Sequence, residues 1–193
     1  FDLSYLSMMP NMTVLAPKND RELAEMLAFA VDYDGPVAIR YPRGSAYLGL
    51  QDHQAPVEYG KSEIIHRGKK IAVLGVGSMI PSCQEVCQGL REDGYDPTFI
   101  NARFVKPLDV DLLDELAEDH RLFVTVEENV KSGGYGEHVS AYMEACHPET
   151  RVLSATVWDR FVPQGNVDSL RTRIGLGVAD IRQAIEDCEE VRE

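Results

Sequence analysis

Ile71-Ala-Val-Leu-Gly-Val-Gly77 is the longest nearly uncharged apolar run in the chain, and it passes straight into Ser78-Met-Ile-Pro-Ser-Cys83. A short apolar run ending in glycines reads as a buried strand, Ile71 to Val76. Beyond it Met79, Cys83, Val86, Cys87 and Leu90 share one stripe at helical spacing, so a helix is expected near 79 to 93. Strand, glycine turn and helix make up half of a βαβ unit, and the alternation continues on both sides. Strands are predicted near Ser62 to His66, Pro97 to Asn101, Leu122 to Glu127 and Arg151 to Val157, with helices near 109 to 119, 136 to 146 and 178 to 190. The pattern is α/β, with a doubly wound, mostly parallel sheet.

Upstream, Met12 to Ala16 reads as a strand closed by Pro17. Asn19 or Asp20 caps a helix that carries Leu23, Met26, Leu27, Ala30 and Val31 on its expected buried stripe. The Asp34-Gly35-Pro36 turn stops that helix, and Val37 to Tyr41 follows as a strand. Two strands and one helix cannot bury their own faces, so this first body is expected to be the tail of a larger domain. Residues 42 to 60, with Pro42, Gly44, Gly49, Pro56 and Gly60 and no sustained period, read as a linker. The expected divisions are 1–45, a linker over 46–60, and a complete second body over 61–193.

The 193 residues carry 19 basic and 32 acidic side chains, a net charge of -13, which repels phosphodiester backbones and anionic lipid headgroups. Nucleic acid and membrane are therefore not expected as partners, and no apolar run approaches the roughly 20 residues of a bilayer-crossing helix. Cys83, Cys87, Cys146 and Cys188 form no CxxC pair; all four are expected on buried helical stripes, as reduced thiols in the cytoplasm. His53, His66, His120, His138 and His147 have no metal-ligand spacing. The acidic clusters at Asp109 to Asp119 and Asp180 to Glu193 read as solvated helix faces. The chain begins at Phe1 with neither Met nor a secretory signal and is expected to be a fragment.

Three stretches are candidates for chemistry. Gly75-Val-Gly-Ser78 lies between strand and helix and offers either an anion cradle or a tight turn; the third glycine of a dinucleotide fingerprint is missing. Gly133-Gly-Tyr-Gly136, just after Glu127 and Glu128, is either a ligand loop at a strand's carboxyl end or a close crossing over a neighbouring segment. Arg40-Tyr-Pro-Arg-Gly44 is the most pointed. Two arginines at the carboxyl end of a parallel strand need anionic partners, either an acidic side chain or a phosphate or carboxylate ligand. Pro42 and Gly44 fix Arg43 at a defined turn.

Phe1-Asp-Leu-Ser-Tyr-Leu, Pro10-Asn-Met-Thr-Val-Leu-Ala-Pro17, the Asp34 to Gly44 stretch, Asn101-Ala-Arg-Phe-Val-Lys-Pro-Leu-Asp109 and Thr125-Val-Glu-Glu-Asn129 together resemble the carboxyl-terminal third of the 1-deoxy-D-xylulose-5-phosphate synthase family, within the transketolase-like group. The resemblance covers nearly the whole chain. It implies a transferase that uses thiamine diphosphate and Mg2+ to decarboxylate pyruvate and join the two-carbon unit to D-glyceraldehyde 3-phosphate. It also implies a cytoplasmic homodimer serving non-mevalonate isoprenoid, thiamine and pyridoxal synthesis. Residues 1–45 would end the pyrimidine-binding domain, and 61–193 would be the transketolase carboxyl-terminal domain. The family's diphosphate and metal ligands, its cofactor-activating glutamate and a substrate histidine all fall upstream of Phe1. The chain alone is therefore expected to be inactive, and no catalytic, cofactor or metal residue is assigned to it. One substrate role carries over: Arg43 matches the family's arginine for the acceptor phosphate, with Arg40 a weaker second that supports the strand end. Ser7, and Val157-Trp-Asp-Arg-Phe161, depart from the family pattern. Competing readings are the carboxyl-terminal subunit of a split transketolase, a 2-oxoacid dehydrogenase β-subunit, or a non-catalytic assembly module.

Overall fold

The computed structural model describes Phe1–Cys188. The run that decides the fold becomes β4 (Lys70–Gly75), the central strand of a five-stranded sheet in the order β3-β5-β4-β7-β8. Its neighbours are β5 (Thr98–Asn101) and β7 (His120–Val130), both parallel to it; β8 (Arg151–Val157) runs parallel to β7, and β3 (Glu63–His66) closes the edge antiparallel to β5. The doubly wound, mostly parallel α/β architecture read from the sequence is the one observed. Alternation along β4 explains the two layers. Ile71 and Val73 face α3 (Ile80–Glu92) and α7 (Val178–Glu186), whereas Ala72 and Leu74 face α4 (Val110–Ala117) and α5 (Tyr135–Cys146). Positions 189 and 190 of the expected last helix lie outside the described residues, as does the end of the acidic run.

The first body holds α1 (Asp2–Ser7), β1 (Thr13–Leu15), α2 (Asp20–Asp32) and β2 (Val37–Ile39). It does not stand apart from the second. β6 (Phe104–Lys106), from the Asn101 to Asp109 motif, pairs antiparallel with β1, so the smaller sheet runs β2-β1-β6. Leu3, Val14 and Ala16 pack into the same core as α4 and α5. Residues 42 to 60 form no helix or strand.

Two sequence expectations are corrected. On α2 the inner face carries Glu22 and Met26, while Leu27 and Val31 are 53% and 84% exposed. The helix is rotated from its apolar stripe because Glu22 is held by buried cations described below. Cys83, Cys87 and Cys188 are buried, but Cys146 is exposed. The buried ridge of α5 is Tyr135, Val139 and Met143. Cys146 sits beside Tyr142, on the flank where the Tyr142 hydroxyl donates to Asp114 at 2.8 Å. Burial pushes the Cys83 thiol well up and the Cys87 thiol up to about 12, as core thiols require. No helix of the described residues is long and apolar enough to cross a membrane.

Candidate functional site

The end of β2 delivers Arg40 into the seam between the two bodies. Its Nη1 donates to Ser78 Oγ (3.1 Å), its Nη2 to the Glu128 carbonyl (3.1 Å), and its Nε pairs with Asp2 (3.4 Å). Arg40 thus has protein partners on α1 and on the second body, and its side chain is only 16% exposed. Arg43 is different. It is exposed, and among the described residues it makes no hydrogen bond or ion pair. Gly44, at φ 126°, turns the chain immediately after it in a conformation that glycine adopts readily.

Arg43 lines a cleft of about 510 Å³ walled by residues 17 to 20 and Leu23 of the first body, residues 41 to 47 of the connecting segment, and Ser78, Pro81 and Arg171 of the second. Arg171 lies on α6 (Val167–Arg173), and nothing in the sequence distinguishes it from nearby Arg173. Its Nε and Nη2 make a two-point contact with Glu128 (3.2 and 3.3 Å), and Nη2 also reaches the Ser78 carbonyl at 3.4 Å. Ser78 Oγ donates to Glu128 Oε2 at 2.8 Å. Burial pushes the Glu128 carboxyl up, but Arg171, Ser78 and Arg40 outweigh it and hold the group ionised below its usual range.

Behind the cleft lies a buried charge cluster that sequence reading missed. Lys18 Nζ bonds Glu22 (3.1 Å) and Glu63 (2.7 Å), while Arg103 Nε bonds Glu22 (2.6 Å) and its Nη2 lies 3.2 Å from Glu63. Asn101 Nδ2 donates to Glu22 Oε1 at 2.8 Å, and Arg103 also holds the carbonyls of Ala55 (2.6 Å) and Pro56 (2.8 Å). Lys18, Glu22, Glu63, Asn101 and Arg103 are all at most 4% exposed. Two cations and two carboxylates balance, and they tie α2, β3, the β5–β6 turn and the connecting segment together. Burial raises the Glu63 carboxyl, but Lys18 and Arg103 bring it below its ordinary value. An acid at Glu22, four residues before buried Met26, was the available signal.

Both glycine stretches pass close to the first body. A Cβ on Gly77 would lie 3.0 Å from the Ala16 Cβ, so that turn packs closely against the first body. At the second, the Glu127 carboxylate accepts from the backbone N–H groups of Tyr135 (3.0 Å) and Gly136 (2.8 Å), filling the N-terminus of α5 from within. A Cβ on Gly133 would meet Ser4 at 3.2 Å, which identifies the loop as a close crossing over α1.

Glu127 is fully buried, and burial raises its carboxyl to about 7 against the pull of those two N–H groups. A raised acid contributes stability that is complete below its unfolded value of 4.5 and is lost as pH rises through about 7. The stability advantage of the parent over Glu127→Gln is therefore expected to shrink between pH 5 and pH 8, by at most about 3 kcal/mol. Urea unfolding at both pH values checks it; an advantage that grows with pH contradicts the assignment.

Among the described residues no group of three His, Cys, Asp or Glu side chains could hold a metal ion. None of the chemistry assigned to this chain passes through thiamine diphosphate or Mg2+.

The family model described as "Transketolase, C-terminal domain" matches residues 60–181, and "Transketolase, pyrimidine binding domain" matches 1–47. Curated relatives named 1-deoxy-D-xylulose-5-phosphate synthase are 45% identical over 182 residues in Lachnoclostridium phytofermentans and 42% over 186 in Dictyoglomus thermophilum. They match 94% and 96% of this chain, which spans only 29% and 30% of their lengths. A solved chain titled "Split gene transketolase, inactive beta4 tetramer" superposes with a TM-score of 0.88 at 26% identity, covering 96% of this chain and 60% of its own. Transketolase from Campylobacter jejuni gives 0.72 at 17% identity, covering 96% of this chain and 28% of its own, a likeness of fold alone.

Proposed function

The chain belongs to the transketolase family, and from that premise we propose that it serves as the carboxyl-terminal part of a 1-deoxy-D-xylulose-5-phosphate synthase. In that reaction pyruvate loses CO2, and the remaining two-carbon unit forms a new carbon–carbon bond to the aldehyde carbon of D-glyceraldehyde 3-phosphate. Thiamine diphosphate and Mg2+ belong to the proposal, held by segments other than this one, as do a second copy of the polypeptide and a cytoplasmic setting. So do the divisions 1–45, 46–60 and 61–193.

The observation that carries this reading is Arg43, a guanidinium without a protein partner among the described residues, on a cleft between the two bodies. Its planar fork suits a phosphate. Pyruvate offers none, so Arg43 is assigned to the acceptor. Arg40, already committed to Asp2, Ser78 and Glu128, supports the strand end that positions it. The names carried by relatives 39–45% identical favour this reaction over ketol transfer between sugars.

The full-length enzyme, loaded with thiamine diphosphate and Mg2+, is expected to release one CO2 for each 1-deoxy-D-xylulose 5-phosphate formed from pyruvate and D-glyceraldehyde 3-phosphate. Transfer of a ketol unit between sugar phosphates with no CO2 released would contradict the proposal.

A further inference from the structure

We propose that Arg171, which lines the same cleft as Arg43, is a second ligand for the acceptor's phosphate, and that the pair sets the preference for a phosphorylated acceptor. The inference rests on the assignment of Arg43 above.

Donor accounting is the first argument. A guanidinium carries five N–H donors. In Arg171, Nε and Nη2 are taken by Glu128 and the Ser78 carbonyl, and among the described residues Nη1 has no partner. Its side chain is 17% exposed and lines the cleft. The two Nη1 donors of an otherwise fixed guanidinium are therefore free to meet an acceptor in the cleft.

Fixation is the second argument. Glu128 grips one edge of the Arg171 fork, and Glu128 is itself held by Ser78 and by the Arg40 guanidinium, 3.9 Å from its Oε2. That carboxylate neutralises part of the charge, but it also sets the guanidinium in place before any ligand arrives. Arg43 brings an unneutralised charge from an exposed turn; Arg171 brings preset geometry from a helix.

The ligand's shape is the third. A phosphate monoester presents three acceptor oxygens. One arginine fork engages two of them, and a second arginine from another direction can take the third. Because Arg43 follows β2 of the first body and Arg171 sits on α6 of the second, a phosphate between them would draw the two walls together.

Steady-state kinetics of the full-length holoenzyme test this with D-glyceraldehyde 3-phosphate and, in parallel, unphosphorylated D-glyceraldehyde. Arg171→Lys keeps a charge against Glu128 but loses the free Nη1 donors. It is expected to lower kcat/KM for the phosphorylated acceptor about tenfold, through KM, while sparing the unphosphorylated acceptor and the KM for pyruvate. Equal losses on both acceptors, or none, would overturn the proposal and leave Arg171 a partner of Glu128 only. Arg43→Ala is measured beside it. If Arg43→Ala discriminates between acceptors and Arg171→Lys does not, the second ligand is wrong and the function stands. If Arg43→Ala does not discriminate, the phosphate reading itself fails. Should Arg171→Lys not fold, Glu128→Gln combined with Arg171→Gln removes the pair without stranding a charge, and the same acceptor comparison decides.

Discussion

Arg103→Met is expected to destabilise the fold by about 3–5 kcal/mol, because it leaves two buried carboxylates facing a single ammonium. Arg103 is 1% exposed and bonds Glu22 and two backbone carbonyls, with Glu63 3.2 Å away. Methionine fills much of the volume but none of these roles. The excess negative charge cannot be hydrated where it lies, so one carboxyl must take up a proton or the site must open to water. Two consequences follow. The loss should be smaller at pH 5 than at pH 7.5, since protonation at the lower pH relieves the imbalance. Arg103→Met combined with Glu22→Gln should recover part of it, because Lys18 and Glu63 then balance. Urea unfolding of the single and double variants decides the matter. A single-variant loss under about 1 kcal/mol, or a double-variant loss equal to the sum of the singles, would mean that the cluster is not a coupled unit.

That cluster also marks the limit of what the sequence discloses. The central strand of the larger sheet was readable because it is a compact apolar run with helices on both faces, Ile71 and Val73 toward one layer and Ala72 and Leu74 toward the other. β6 was not readable. Phe104-Val-Lys106 is too short to show alternation, and its partner β1 lies in the other body. α1 and α6 escaped for the same reason of length. The ion pairs join residues 45 and 81 positions apart, Lys18 to Glu63 and Glu22 to Arg103, and no local period encodes such a pairing. The orientation of α2 went wrong as a direct result: its apolar stripe pointed one way, and the cations holding Glu22 pointed it another. Of the candidate site, Arg43 and Arg40 were legible as charges at the end of a parallel strand. The rest of the cleft was not, since Glu128 read only as part of the Thr125 to Asn129 motif and as a neighbour of the Gly133 to Gly136 loop, and nothing in the sequence singles out Arg171.

Arg43→Ala in the full-length enzyme carries the second large effect. Removing one charge-assisted contact to phosphate costs roughly 1.5–3 kcal/mol, a loss of roughly 10- to 150-fold in apparent affinity for the acceptor. No described residue pairs with Arg43, so the substitution strands no buried partner and should leave folding intact. Pyruvate has no phosphate to lose, and its KM should hold. Arg43→Lys should recover only part of the deficit, since an ammonium keeps the charge without the fork.

The acceptor comparison on Arg43→Ala is therefore the most direct test of the central claim, that this cleft holds the phosphate of the acceptor. The account predicts a loss of roughly 10- to 150-fold in kcat/KM for D-glyceraldehyde 3-phosphate, with unphosphorylated D-glyceraldehyde used about equally by variant and parent. An equal loss on both acceptors would show that Arg43 shapes the end of β2 and binds no phosphate.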